Sequence, residues 1–216
     1  DYTITYSKVG FLDESQDVPL ETDNQTLEVQ TITMLTTGCA SGNISGNIND
    51  AVSGDNVTGV SLKIRQGYWQ SWNPVKGTAT TDSSGNYSFS SMAAGGYTVY
   101  TSKSGYIDEK FTVYACGNVS NQDHAISTTL PNSNSMRIIL KWPAGFSGDD
   151  LDSHIQFPDN SSNAYHLHWA RNTGGINQGD DYYVYGANDN VTLDRDETDA
   201  PGIETITVIT ARSGDY

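Results

Sequence analysis

Basic side chains are scarce in this sequence: 11 Lys and Arg stand against 26 Asp and Glu in 216 residues, a formal net charge of −15. Nucleic acid and anionic membrane surfaces need clustered Lys and Arg to neutralise phosphate, so both are excluded as partners and cations become the expected ones. Apolar runs of about 18 residues are absent, as is a charged-then-apolar leader, so no membrane span is predicted. Asp1 is no translation start, which leaves room for a leader already removed. Helical periodicity is missing as well, because no stretch of about a dozen residues keeps apolar side chains at i, i+3, i+4 and i+7. Cysteine is limited to Cys39 and Cys116, whose separation fits neither a metal-ligand pattern nor a redox CxxC. They are read as one disulfide tying the first strand of a middle domain to a late one, the alternative being two buried thiols.

Short alternating stretches are present throughout, as in "NYSFSS", "YTVYTS" and "ETITVIT", and with abundant Gly, Ser, Thr, Asn and Asp they predict an all-β chain of serial sandwich modules. Asn-x-Ser/Thr sequons stand at Asn24, Asn43, Asn56, Asn86, Asn118, Asn160 and Asn190. With the acidity and the low lysine content they point to an extracellular surface.

An internal repeat appears when residues 1–35 are laid on residues 96–130 without a gap. "YTITYSKVGFLDE" then sits on "YTVYTSKSGYIDE", matching Tyr2 with Tyr97, Lys8 with Lys103, Gly10 with Gly105, and Asp13-Glu14 with Asp108-Glu109. Residues 1–36 are therefore expected to be the back half of a module whose front half lies elsewhere. Residues 37–131 hold seven candidate strands, the number of a Greek-key sandwich. Within them, Thr80-x-Asp82-x-x-Gly85-x-Tyr87-x-Phe89 is followed by Gly95-x-Tyr97-x-Val99-x-x-Ser102-x-x-Gly105-Tyr106. This pattern resembles the carboxypeptidase regulatory-like domain, over roughly residues 40–130. The resemblance implies a transthyretin-like or immunoglobulin-like sandwich with a non-catalytic stalk or spacer role.

Residues 132–216 differ in character. "MRIILKWPAGFSGDDLDSHIQFPD", "YHLHW" and "VTLDRDETDAPGIETITV" together resemble the YfaP-type domain of unknown function, whose members continue past a final Gly-x-Tyr into a closing strand. That strand is expected from elsewhere, since "SGDY" continued by "TITYSKVGF" reproduces the "GGYTVYTSKSGY" of the middle module. Tyr2, Thr3, Ile4, Thr5 and Tyr6 of one subunit are thus expected to insert into the last module of the next. A covalent array delivering the same strand through a peptide bond is the alternative.

The acidic residues concentrate in this last segment. On an extended "DLDSH", Asp150, Asp152 and His154 share a face, and Asp194 and Asp196 share one likewise. Two Asp-x-Asp pairs brought together repel unless a hard cation takes up their oxygens, so Asp150, Asp152, Asp194, Asp196 and Glu204 are expected to bind Ca²⁺. A solvated acidic loop is the bland alternative. His154, His166 and His168 could offer imidazoles to zinc or copper, though strand histidines are more often packed or hydrogen-bonded. Ser153 cannot relay with His154 and Asp152, because adjacent strand residues face opposite sides. No G-x-S-x-G elbow, P-loop or dinucleotide fingerprint occurs, and the chain is read as no enzyme. Tyr68, Trp69 and Trp72 of "GYWQSWNP" either anchor a core or stack on a sugar.

Two functions follow as expectations. The first is a structural subunit of an extracellular filament or surface stalk, copies joining head to tail and stiffened by Ca²⁺. The second is a calcium-dependent adhesin module holding a glycan or peptide.

Overall fold

The computed structural model describes residues 2–20, 22, 29–142, 150–158, 164–167 and 191–211. Every regular element among them is a strand, so the chain is all-β. No helix among the described residues is long and apolar enough to cross a membrane. The chain divides into two compact units, residues 1–49 with 55–126, and residues 50–54 with 127–216. The segment 1–36, expected as a partial module, therefore belongs to the same unit as the middle sandwich.

The seven alternating stretches of the middle segment all form strands: β3 (Gly42–Asp50), β4 (Ser61–Gln66), β5 (Val75–Thr80), β6 (Asn86–Met92), β7 (Gly95–Ser102), β8 (Glu109–Ala115) and β9 (His124–Ile126). They make two sheets, ordered β6-β3-β9 and β5-β4-β7-β8. Alternation sends Ile44, Ile48, Tyr87, Phe89 and Ile126 from one sheet, and Leu62, Ile64, Tyr97, Val99, Phe111 and Val113 from the other, into one buried core. The Cys39–Cys116 disulfide, with Cα atoms 4.5 Å apart, ties the approach to β3 to the exit of β8. Gly42 is needed there, since a Cβ would lie 2.0 Å from the Gly117 carbonyl oxygen.

Ahead of the sandwich, β1 (Tyr2–Tyr6) and β2 (Glu14–Val18) form an antiparallel hairpin. Its register repeats that of β7 and β8 residue for residue. Tyr2 stands opposite Val18 and Tyr6 opposite Glu14; at the matching positions Tyr97 stands opposite Val113 and Thr101 opposite Glu109. The turns agree too, with Gly10 and Gly105 at φ 84° and 86°. Phe11 N donates to Lys8 O at 3.0 Å, and Tyr106 N to Lys103 O at 3.1 Å. Only glycine adopts such a φ without penalty, so the shared glycine sets the shared turn.

The second unit contains β10 (Met136–Trp142), β11 (Ile155–Pro158), β12 (Ala164–Leu167), β13 (Val191–Arg195) and β14 (Gly202–Val208). Strand β14 lies between β10 and β13, and β11 pairs with β12. Ile155, Leu167, Val191, Leu193, Ile206 and Val208 form its core, with Met136 packed against them.

Candidate metal centre and open strand edge

Alternation along β14 places Glu204 on the face that carries Ile206 and Val208 into the core. Its side chain is 1% exposed. One carboxylate oxygen, Oε2, accepts the Ser153 amide at 2.5 Å. The other, Oε1, is buried without a partner among the described residues. Asp152 and Asp196 bring further carboxylate oxygens alongside, and one ligand atom from each of the three residues lies within 4.8 Å of the others. Burial pushes the Glu204 carboxyl above its ordinary range and the neighbouring Asp196 carboxylate adds to the rise, against the pull of the Ser153 amide. Asp150 is also pushed up, by desolvation first and then by the charges of Asp152, Asp196, Asp199 and Glu197. A buried carboxylate with an idle oxygen, facing two more carboxylates, is stable only if a proton or a cation joins it. Oxygen-only donors are the ligands that hard cations such as Ca²⁺ take.

Of the five residues expected as ligands, the structure brings three together. Asp150 stands near enough for its charge to be felt, but outside the close group. Asp194 goes elsewhere. It occupies an irregularity in the pairing of β13 with β14, between Leu193 and Arg195. There its carboxylate accepts Thr192 Oγ1 at 2.6 Å and also Thr207 Oγ1. A bulge breaks the two-residue alternation, which is why Asp194 and Asp196 do not act on one face. His154 is exposed; the side chain of His166 and all of His168 lie outside the described residues, so the three-imidazole grouping does too. Asn24, Asn160, Asn190 and the final Gly-x-Tyr also lie outside them.

The other described sequons serve as structural connectors. Asn43 Oδ1 accepts the Ser91 amide at 3.0 Å, Asn118 Oδ1 the Asn43 amide at 2.9 Å, and Asn56 Oδ1 the Asn49 side chain at 3.1 Å. Asn86 Oδ1 accepts Asn47 Nδ2 at 3.1 Å.

At the N-terminal hairpin, β2 faces the middle sandwich and β1 does not. The Tyr68 amide donates to Ser15 O at 2.8 Å, making a parallel bridge with Gln16. The Ser71 amide donates to Asp17 Oδ2 at 3.0 Å. Glu14, 4% exposed, accepts the Gly96 amide with both oxygens. Of the aromatic loop, Tyr68 is the buried anchor, its hydroxyl donating to Thr33 O at 2.8 Å, whereas Trp72 is 68% exposed. Strand β1 pairs only with β2 among the described residues, none of which pairs along its second edge. The matching edge of β7 is filled by β4. Sequence reasoning missed Glu14 as an anchor, since a charged residue in an alternating strand reads as solvent-facing.

Residues 43–127 match the family model of the carboxypeptidase regulatory-like domain. The middle module is such a domain. No curated protein matches the chain. Among solved structures, a double mutant of the shaft pilin SpaA from Lactobacillus rhamnosus GG is 16% identical, with 41% of this chain and 48% of that chain covered and a TM-score of 0.33. The minor pilin GBS52 of Streptococcus agalactiae is 16% identical over 46% of this chain and 50% of that one, at a TM-score of 0.32. The 3-chlorocatechol 1,2-dioxygenase of Rhodococcus opacus 1CP is 12% identical over 42% and 61%, at 0.32. The chain thus spans about half the length of the two pilins. Superpositions this partial carry no functional argument, and the site itself has to supply one.

Proposed function

We propose that this chain is a non-catalytic structural subunit of an extracellular filament or surface stalk. Copies join head to tail by β-strand donation from Tyr2–Tyr6, and Ca²⁺ at Asp152, Asp196 and Glu204 stiffens the last module. The observation that carries this reading is the hairpin: β1 and β2 repeat the register of β7 and β8, yet among the described residues β1 has no counterpart of the neighbour that β4 gives to β7. An edge of unpaired N–H and C=O groups templates another strand, and a heterologous contact of that kind propagates rather than closes. The disulfide supports an oxidising, extracellular setting. Residues 135–216 are read as a YfaP-type domain on their motif pattern.

Negative-stain microscopy of the full chain, beside a form lacking residues 1–8, tests the proposal. Fibres from the full chain alone are the expected result; fibres from both would remove strand donation.

Trp72 favours a second reading. A tryptophan 68% exposed beside a folded loop offers a stacking platform to a sugar ring, as a calcium-dependent adhesin would use. Retention of a monomer on a glycan array only when Ca²⁺ is present would support it over the filament.

A further inference from the structure

Among the described residues, the strands of the two halves are complementary. In the middle module, β3 pairs antiparallel with β6, and β4 with β5. The second unit repeats this in chain order: β10 pairs antiparallel with β14, and β11 with β12, while β13 is an addition on the far edge of β14. Matched in this way, the described part of the second unit contains counterparts of β3 to β6 and none of β7, β8 or β9. Residues 1–36 contain the counterparts of those three. Strands β1 and β2 take the places of β7 and β8 by register, and residues 29–31 fall on His124–Ile126, which is β9.

Burial follows the same division. Tyr2 is 63% exposed where its counterpart Tyr97 is 1% exposed. Leu20 is 40% exposed where Ala115 is 0%. In the second unit, Ile138 shares a face of β10 with Met136, which packs on the core, and is nevertheless 38% exposed, while its cross-strand partner Ile206 is 1% exposed. These side chains are exposed where their counterparts or cross-strand partner are buried.

We infer that β1 of one copy pairs antiparallel with β11 of a second copy, giving that copy a four-stranded sheet in the order β12-β11-β1-β2, while residues 29–31 pair along β10. This rests on the head-to-tail reading and names the receiving strands. The order reproduces β5-β4-β7-β8, and the second sheet reproduces β6-β3-β9 with β10 in the place of β3. Side-chain direction limits the register. In the middle module the inward residues Leu62 and Ile64 stand opposite the inward Thr101 and Val99, and the outward Lys63 and Arg65 opposite Tyr100 and Thr98. Ile155 is a core residue of the second unit, so it must stand opposite Ile4 or Tyr6, and Gln156 then stands opposite Thr3 or Thr5.

Cysteine pairing tests this directly, because both native cysteines are already bonded to each other. Full chains carrying Thr3→Cys or Thr5→Cys are mixed with full chains carrying Gln156→Cys under mild oxidation, with circular dichroism checking that each retains the parent fold. The expected product is a band at twice the monomer mass in one of the two mixtures. Thr78→Cys, on the exposed side of β5, should give none with Gln156→Cys. A doubly substituted chain that bonds only within itself at high dilution and high concentration alike overturns the inference. If the pairs fail to link while the parent still forms fibres, the receiving strand is wrong and the filament reading stands. If no fibres form and no pairs link, both fall.

Discussion

The carboxylate of Glu14 accepts the Gly96 amide through both oxygens, at 3.0 and 3.1 Å, and so fastens the N-terminal hairpin to the first residues of β7. Desolvation raises the Glu14 pKa from its ordinary 4.5, and the Gly96 hydrogen bond only partly opposes this. A carboxyl with a raised folded pKa gains its proton in the folded state before the unfolded one. Its contribution to stability is therefore largest below about 4.5 and declines as pH rises through the folded value. The stability difference between parent and Glu14→Gln, measured by urea denaturation from pH 7 down to pH 4, should shift in the parent's favour as pH falls. A difference independent of pH rejects the assignment. Glu14→Ala removes the acceptor of a buried amide and should cost about 1–3 kcal/mol, the cost growing as pH falls through the raised folded pKa and the parent's carboxyl takes up its proton.

Gly96 tests the same junction from the other side. A Cβ there would lie 2.1 Å from Tyr68 Cε2 on a ring that is 4% exposed. Gly96→Ala must push that ring away, breaking its hydroxyl bond to Thr33 O. Overpacking of this kind costs about 1–3 kcal/mol. Hydrogen exchange should show the amides of β2 losing protection while the core strand β4 keeps its own. Uniform loss across both strands would mean that the hairpin and the sandwich open as one.

The sequence showed the middle module almost completely, because its strands carry recognisable alternating cores, as at Leu62 and Ile64 or Tyr87 and Phe89, between turns of distinctive chemistry. The hairpin repeat was legible for the same reason, since Gly10 and Gly105 hold identical turns and alternation then sets identical registers. The acidic site was legible only in part. Asp152, Asp196 and Glu204 could be chosen on charge and pattern, but the irregularity at Asp194 has no marker in "LDRD", and nothing local signals that Glu204, though chosen, turns into the core. Glu14 was hidden likewise: its burial depends on Gly96, distant in sequence. Pattern reveals which face a residue takes within one strand, and a tertiary partner can override the expectation that charge faces water.

The Cys39–Cys116 bond closes a loop with a sequence separation of 77 residues. Chain-entropy reasoning assigns such a cross-link about 4 kcal/mol, through restriction of the unfolded chain. Replacing both cysteines by Ala should lower the stability of the unit containing the middle sandwich by that order, read as a fall in denaturant midpoint at an unchanged fold. Dithiothreitol should reproduce the fall in the parent and leave the variant unaffected. Equal midpoints for the parent with and without reductant would show that the bond contributes nothing to stability.

Calcium should act on the second unit alone. Its three converging carboxylates include one with a buried, unpartnered oxygen, so without a cation the site combines charge repulsion with a desolvated carboxylate. At a free Ca²⁺ concentration about 100-fold above Kd, linkage adds about 2.7 kcal/mol to the folded state. Calorimetry in millimolar Ca²⁺ against EGTA should therefore move one of two transitions upward and leave the other in place. Glu204→Gln keeps the side chain's shape and an acceptor for the Ser153 amide, but removes the buried charge. It should abolish the calcium response while raising stability in EGTA. Asp194→Asn should retain the full response, because that carboxylate is bonded to Thr192 and Thr207 outside the group. A calcium shift in Glu204→Gln equal to that of the parent would place the ion elsewhere, and a loss of response in Asp194→Asn would mean that the bulge on β13 rearranges to supply a fourth carboxylate.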